Sequence, residues 1–467
     1  MISIRAAIRL SVLLAASVSA VSAVLSSESY ILVDTKRRVT DRKWTPRMTV
    51  TVRHLAGFQS GRSHMELSRF GGRKDRRVKA SGFFRVEKLK DGWWLVDPEG
   101  YLWISVGCCS VRPNRTARGQ AALIKRFGNI ANWARHTARL LVDHGFNTLG
   151  CWSSAELFRT VQPRIPYTTQ CNFMSAYGKL RGGTYQKSGH TGYPNDCIFV
   201  FDPEFEDFCR RYAKKILSAT KNDPWLLGHF SDNELPFPHD ALDRYLQLDP
   251  ADPGRIAAER WIKQHHVRKN ERGSYSPEAR ERFLEFMAAR YFRIVSRAIR
   301  EADPNHLYLG SRFHGRALRT PAVFRACGPY VDVVSCNYYG AWTPDPERMA
   351  NWVKWSGRPF LVTEFYAKGM DSGLPNVTGA GWIVKTQKDR GRFYQNFTLG
   401  LLKEPGCVGW HWFKYIDNDP TDTKSDPSNR NSNKGIVSNV YEPYTDLLEM
   451  MRELNRNVYA LRDFLNR

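Results

Sequence analysis

The hydrophobic and polar positions of this chain alternate regularly from residue 102 onward. Short apolar runs, each long enough for one buried strand, are separated by longer stretches with helical periodicity. The predicted strands are 102–110, 146–153, 165–171, 226–232, 306–313, 331–338, 359–366 and 406–413. The predicted helices between and after them are 132–145, 203–220, 277–304, 346–357, 389–406 and 445–465.

Strands that alternate with helices in this way predict an α/β fold, namely a (β/α)8 TIM barrel. The alternative is an open doubly wound sheet, which more often carries a glycine-rich phosphate loop after its first strand. The sequence ISVGCCSVRPN at 104–114 is not such a loop. The pattern therefore favours the barrel, whose chemistry lies at the C-terminal ends of its strands.

The N-terminal part differs from the rest of the chain. Residues 1–23 have Arg5 and Arg9, an apolar segment at 10–18 and the small-residue pattern VSA, which predicts a signal peptide. The alternative is a membrane anchor, for which the apolar segment is short. We expect residues 24–84 to be a basic extension with one or two short β-strands, and 85–467 to be the catalytic barrel. A secreted or periplasmic protein without stable membrane insertion follows from this interpretation.

The spacing of the cysteines and the net charge limit the kinds of metal site and partner that the sequence predicts. The nine cysteines include no CxxC pair, which argues against zinc; they are typical of buried core residues, with a Cys171–Cys197 disulfide as the alternative. The formal charge of +24 is spread along the chain without a nucleic-acid-binding motif. Both an anionic glycan partner and a plain solvated surface remain consistent with that charge.

Two glutamates follow buried, strand-like runs at equivalent places. Glu234 ends GHFSDNE and Glu364 ends FLVTE. A carboxylate at the end of a core strand is costly unless the site uses it. Strands four and seven of a barrel face one mouth, and two carboxyl groups about 5–5.5 Å apart suit retaining glycoside hydrolysis. This chemistry requires no metal and no organic cofactor, and we expect neither.

Other polar and aromatic residues at the predicted strand ends are candidate substrate-binding groups. An asparagine can bond a sugar hydroxyl, a tyrosine or arginine can keep a carboxylate ionised, and an indole can stack on a sugar ring. These candidates are Asn233, Trp152, Arg312, His314, Asn337, Tyr338, Tyr339, Trp410 and Trp412. Of the last two, Trp410 is the stronger candidate for a sugar platform.

These motifs resemble a known family. GHFSDNEL, VVSCNYY, VTEFY, GCVGWHWFKYIDND and the asparagine-rich NRNSNKGIV at 429–437 are similar to glycoside hydrolase family 50, the β-agarases, among the clan A retaining enzymes. The resemblance covers roughly residues 85–460. It implies that Glu234 is the acid/base, that Glu364 is the nucleophile, and that the partner is a galactan polysaccharide or oligosaccharide.

The substrate and the activity have alternatives. The basic charge makes a sulfated galactan of the porphyran or carrageenan type a candidate beside neutral agarose. A retaining enzyme of the same clan could also act on another β-glycan. A non-catalytic polysaccharide-binding barrel would use the same aromatic rim without turnover, and a charge-driven nucleic-acid or heparin binder would be indifferent to the rim. The presence of both glutamates favours the enzyme.

Overall fold

The computed structural model describes residues 29–60 and 65–466. Its centre is a parallel sheet of eight strands, labelled here β1–β8 in chain order. The strands are Ser105–Cys108, Thr148–Leu149, Tyr167–Cys171, Leu226–Ser231, Leu307–Tyr308, Val334–Asn337, Phe360–Glu364 and Cys407–Trp412. Each of the eight predicted runs contains one of them.

The sheet order is β5-β4-β3-β2-β1-β8-β7-β6, so that β5 and β6 are its edges. An isolated parallel bridge between Phe313 and Cys336 connects the segments at these two edges. The backbone N–H of Asn337 also donates to the carbonyl of Phe313 at 2.7 Å. The molecule is therefore an α/β protein with a TIM-like domain.

Helices follow most of these strands and cover the sheet. The α-helices α1–α12 are Ala117–Phe127, Ile130–Asp143, Phe173–Arg181, Phe205–Leu217, Ala241–Leu246, Pro253–Gln264, Pro277–Ala302, Pro321–Cys327, Pro346–Ser356, Gln387–Leu402, Thr445–Asn455 and Val458–Leu465. Short 3₁₀ turns are Val52–His54, Ala155–Phe158, Pro194–Asp196, Gly315–Arg319, Met370–Ser372 and Pro427–Asn429. The predicted helix 445–465 is divided in two, because α11 ends at Asn455 and α12 begins at Val458.

Three smaller sheets surround the parallel one. The N-terminal strands Ile31–Lys36 and Thr45–Thr49 join Ala367–Gly369 and Trp382–Val384, which follow β7. A second sheet contains Arg73–Arg77, Tyr101–Trp103, Gly92–Val96 and Arg85–Leu89, whose last three strands form antiparallel pairs just before β1. The third is the hairpin Tyr185–Gln186 with Thr191–Gly192. The segment 24–84 thus contributes three strands, more than the sequence predicted.

The core surrounds the parallel sheet, and its strands are buried on both faces. All nine cysteines are buried and free, so Cys171 and Cys197 form no disulfide. Within residues 29–60 and 65–466, no helix has the length and apolarity that crossing a membrane requires. The predicted signal peptide 1–23 lies outside the described residues.

Candidate active site

A large cleft lies at the C-terminal ends of the parallel strands. Its volume is about 1200 Å³, and both Glu234 and Glu364 line it. Glu364 is the last residue of β7, whereas Glu234 lies three residues beyond the end of β4. The cleft is therefore where the sequence predicted it, and strands far apart in the chain bring the two carboxyl groups to one site.

Glu364 is held by two donors. The guanidinium of Arg312 donates to Oε1 of Glu364 at 2.7 Å, and the hydroxyl of Tyr339 donates to Oε2. Both carboxylate oxygens are thus bonded, although the side chain is almost completely buried. Charge-assisted hydrogen bonds of this kind fix the orientation of a buried carboxylate. The carboxylate of Glu364 is therefore held in one orientation at the cleft.

Glu234 is held more loosely and in a strained conformation. Its Oε1 accepts from the side-chain amide of Asn337 at 2.8 Å. The Nδ1 atoms of His190 and His314 lie 3.5 and 3.7 Å from Oε2. The backbone φ of Glu234 is +52°, in the left-handed region that a glutamate rarely adopts. Strain of this kind is concentrated at functional sites, where surrounding contacts hold it in place.

A buried polar network connects the two glutamates. Arg312 contacts both Glu364 and Asn233, because its Nη1 donates to the Asn233 amide oxygen at 3.0 Å. Asn337 donates to Asn233 and Glu234, and it accepts from the hydroxyl of Thr363. Asn233, Arg312 and Asn337, which lie at or just beyond the ends of β4, β5 and β6, thus connect the two carboxyl groups.

The environment acts differently on the pKa of each carboxyl group. Burial raises the pKa of Glu364, the Arg312 guanidinium opposes this, and the negative charge of Glu234 raises the pKa further. Burial also acts to raise the pKa of Glu234, but contacts with His190, His314 and Asn337 bring it below its usual value.

The charges behind these shifts respond differently to pH. An imidazole is charged only when it is protonated, whereas a guanidinium is always charged. Once the imidazoles of His190 and His314 are neutral, the lowering of the Glu234 pKa by their charges is lost, while Arg312 still opposes protonation of Glu364. The charge of Arg312 therefore acts on the Glu364 pKa at every pH, whereas the histidine charges act on the Glu234 pKa only while an imidazole is protonated.

Most of the predicted substrate-binding residues lie at the cleft. Trp152, Asn233, His314 and Tyr339 line it. Arg312 and Asn337 are completely buried beside it and contact the glutamates as described above. Trp152 also packs over the guanidinium of Arg312, with 4.2 Å between Cζ and the ring centroid.

Tyr338 was predicted as a substrate-binding residue, and the structure corrects this. Alternation along β6 turns Tyr338 away from Tyr339. Its hydroxyl accepts from the backbone N–H of Asp345 at 3.0 Å, and its ring packs against Trp352. The side chain of Tyr338 therefore belongs to the core, whereas the hydroxyl of Tyr339 bonds the Glu364 carboxylate.

The prediction of sugar platforms on β8 is also wrong. Trp410 and Trp412 are both 0% exposed. The Trp410 indole donates to the hydroxyl of Tyr394 on α10, and the Trp412 indole donates to the carbonyl of Lys434. His411, between them, instead contacts Ser105 on the neighbouring strand. The two indoles pack among core residues and present no face to a sugar.

Residues that the sequence did not single out complete the cleft. His190 comes from the hairpin formed by Tyr185–Gln186 and Thr191–Gly192, which lies between the predicted strands 165–171 and 226–232. Asp426 accepts hydrogen bonds from the backbone of Gly189 and the side chain of Gln186, so two loops meet above Glu234. No local pattern around His190 indicates this contact, because it depends on the distant residue Asp426.

A group of possible metal ligands lies elsewhere. Donor atoms of His229, Asp303 and His306 lie within 4.8 Å of one another. The ring nitrogens of His229 contact Thr169 and Asp303, while those of His306 contact Asp303 and the carbonyl of Asp223. Since every ring nitrogen already has a protein partner, this group is arranged as a structural cluster.

Comparisons with known proteins place the chain near one family. No protein-family model matches it. β-Agarase B of Vibrio sp. strain JT0107 is 27% identical over 83% of this chain and 49% of its own length. β-Agarase A of the same strain is 29% identical over 80% and 41%. The chain thus spans half or less of these curated relatives.

The solved structure of BpGH50 matches over nearly the whole of both chains. It superposes with a TM-score of 0.81 and 29% identity, covering 94% of this chain and 96% of that one. The predicted resemblance is therefore confirmed, and the chain is similar to glycoside hydrolase family 50 in both sequence and fold.

Proposed function

We propose that this protein is a retaining glycoside hydrolase that cleaves a β-linked galactan, with Glu234 as acid/base and Glu364 as nucleophile. The observation that carries the proposal is that both glutamates line one cleft and are connected through Arg312, Asn233 and Asn337. Two carboxyl groups held in this way are what double displacement requires. We also propose that the TIM-like domain is a (β/α)8 barrel with an N-terminal β extension.

The first chemical step forms a covalent intermediate. Glu364 attacks the anomeric carbon while Glu234 donates its proton to the leaving glycosidic oxygen. Arg312 keeps Glu364 oriented, and Tyr339 bonds its other oxygen. In the second step Glu234 takes a proton from water, which attacks the same carbon and releases Glu364. Configuration at the anomeric carbon is retained because it is inverted twice.

The substrate class rests on the similarity to β-agarases, and sulfation is the finer part of the proposal. We propose an agarose- or porphyran-type galactan, delivered as a polysaccharide or oligosaccharide outside the cytoplasm. The cleft volume of about 1200 Å³ is large enough for several sugar units. Trp152 and Tyr339 provide aromatic surface in the cleft for the sugar rings.

Azide rescue tests the mechanism and separates the two roles. In a Glu234→Ala variant, an activated aryl β-galactoside still forms the intermediate, and azide then yields a β-galactosyl azide. In a Glu364→Ala variant azide attacks directly and yields the α-anomer. Nuclear magnetic resonance of the products distinguishes the anomers. Rescue with the opposite stereochemistry, or wild-type turnover by either variant, would overturn the assignment.

Product analysis tests the substrate class. Incubation with agarose, porphyran and carrageenans, followed by mass spectrometry, should reveal new reducing ends from at least one galactan. Tight binding without release of any product would instead favour a non-catalytic polysaccharide-binding protein.

A further inference from the structure

Two cationic side chains converge on one side of the cleft. Arg112 follows β1 and Lys414 follows β8. These strands are neighbours in the sheet, with Cys108 paired to Trp412. Both side chains line the same cleft as Glu234 and Glu364. The topology therefore places a guanidinium and an ammonium group near each other at the substrate cleft.

Neither cation forms an ion pair among the described residues, although the charges of Asp417 and Asp422 act to raise the pKa of Lys414. Lys414 is only 8% exposed and Arg112 is partly buried. Across residues 29–60 and 65–466, no side-chain hydrogen bond or ion pair of Arg112 or Lys414 is found. Burial and the charge of Arg112 lower the pKa of Lys414 to about 8. A buried cation without a partner is costly, so the fold maintains an unfavourable arrangement at this place.

The other charged groups nearby use their hydrogen-bonding capacity within the protein. Lys434 Nζ donates to the Ser428 carbonyl at 2.6 Å and to the Asn429 side chain at 3.0 Å. Asp417 accepts from Asn433, Gly435 and Tyr444, and Asp419 accepts from Thr116 and Thr421. Asp422 accepts from the backbone of Lys424. Arg115, Lys179 and Lys424 also line the cleft without side-chain hydrogen bonds, but their side chains are exposed. Among the described residues, Arg112 and Lys414 are therefore the cleft cations that combine free donors with at least partial burial.

We propose that Arg112 and Lys414 form a subsite for a sulfate ester carried by a galactan unit. A guanidinium and an ammonium group together match an oxyanion with several free oxygens, and both bond it more strongly than they bond a neutral hydroxyl. This inference rests on the proposed function, because it assigns a substituent of the same substrate. It makes the cleft selective for sulfated over neutral galactan.

Binding without turnover gives the most direct test. In the Glu364→Gln background, isothermal titration calorimetry compares a neutral agaro-oligosaccharide with a porphyran oligosaccharide of equal length that carries galactose 6-sulfate. We expect the sulfated ligand to bind at least about tenfold more tightly. Lys414→Met and Arg112→Gln should each remove most of this preference. Lys125→Met and Arg139→Gln, on exposed positions of α1 and α2, should preserve it.

Kinetics of the active enzyme give the second readout. Lys414→Met should lower kcat/KM on the sulfated oligosaccharide at least about tenfold and leave the neutral one within about twofold. Circular dichroism verifies that each variant folds. If Lys414→Met does not fold, Arg112→Gln provides an independent test of the subsite. Equal losses on both oligosaccharides, or equal binding of both by the parent protein, would overturn the subsite and leave the hydrolase intact. Failure to bind or cleave any galactan would overturn the proposed function and this subsite together.

Discussion

Two buried clusters of ionisable side chains lie near strand β4, and they differ in whether the protein supplies all of their hydrogen-bond partners. At the C-terminal end of the strands, Glu234 and Glu364 face the cleft. Near the opposite end, His229, Asp303 and His306 form a closed group whose ring nitrogens all have protein partners. Both clusters bury ionisable groups, yet only the first opens to a cleft that can accept a ligand.

The contrast separates a structural role from a chemical one. Buried charges are tolerated when they are paired and hydrogen-bonded, and in the histidine–aspartate cluster the protein supplies every partner. Around Glu234 the histidine contacts of 3.5 and 3.7 Å are longer than full hydrogen bonds. Groups that the protein leaves incompletely bonded are those that a substrate can engage. Burial alone would not have distinguished the two clusters.

Removing the proposed nucleophile should have the largest effect on the cleft cluster. Glu364→Gln keeps the shape of the side chain but cannot attack, so kcat should fall on the order of 10⁴-fold or more. The variant should still unfold cooperatively, as followed by circular dichroism. Glu234→Gln makes the same change at the second carboxyl group of the cleft and serves as the companion variant. Activity of Glu364→Gln within tenfold of wild type would contradict the role of the cleft.

Arg312→Met should change both the free energy of unfolding and the pH dependence of kcat/KM. It leaves Glu364 buried without its cation, which should cost about 3–5 kcal/mol in the free energy of unfolding. Because Arg312 lowers the Glu364 pKa, its loss raises that pKa. The nucleophile must be ionised, so the acidic limb of the kcat/KM profile should move to higher pH. Arg312→Lys, which keeps a charge, should show a smaller shift, and an unchanged acidic limb in Arg312→Met would contradict the assignment.

The parallel sheet could be predicted because each strand is a short apolar run bounded by turn residues. Within β8, however, sequence alternation showed only that Trp410 and Trp412 share a side. Which side they occupy was not readable, since strands buried on both faces carry apolar residues throughout. The same ambiguity applies to Tyr338 and Tyr339, of which only the second has a side chain that bonds the Glu364 carboxylate.

Other features depend on contacts between distant parts of the chain. The short helix α3, Phe173–Arg181, is not among the helices that the sequence predicted. Its first turn is held by Asp232, which accepts from the backbone N–H groups of Met174 and Ser175. His190 approaches Glu234 only because Asp426 fixes its hairpin. Such tertiary contacts override local propensity, which is why the strand ends were predicted and the loop residues were not.

Asp303→Asn tests the structural cluster. The partners of Asp303 hold its pKa below the usual value even though burial acts to raise it. The stability this contributes is present above the unfolded-state pKa of about 3.9 and is lost as the pH falls below it. We expect Asp303→Asn to lower the free energy of unfolding by about 2 kcal/mol at pH 7, with the two proteins converging in acid. Denaturant titrations at several pH values measure this, while kcat at saturating substrate should stay near wild type.

An exposed ion pair provides the control for that measurement. Asp207 pairs with Arg210 on the surface of α4, and Asp207→Asn should change the free energy of unfolding by less than about 1 kcal/mol. If Asp303→Asn abolished turnover while the protein remained folded, the two clusters would not be independent, and the distinction drawn between them would fail.

His314→Gln should give the smallest effect and the most specific one. When charged, His314 lowers the pKa of Glu234. Its removal should let Glu234 keep its proton to higher pH, so the alkaline limb of kcat/KM moves upward by less than about one unit. His265→Gln, at an exposed position, should leave the profile unchanged. A downward shift of the alkaline limb would mean that His314 does not act on the proton of Glu234, and that the looser bonding of this carboxyl group has another purpose.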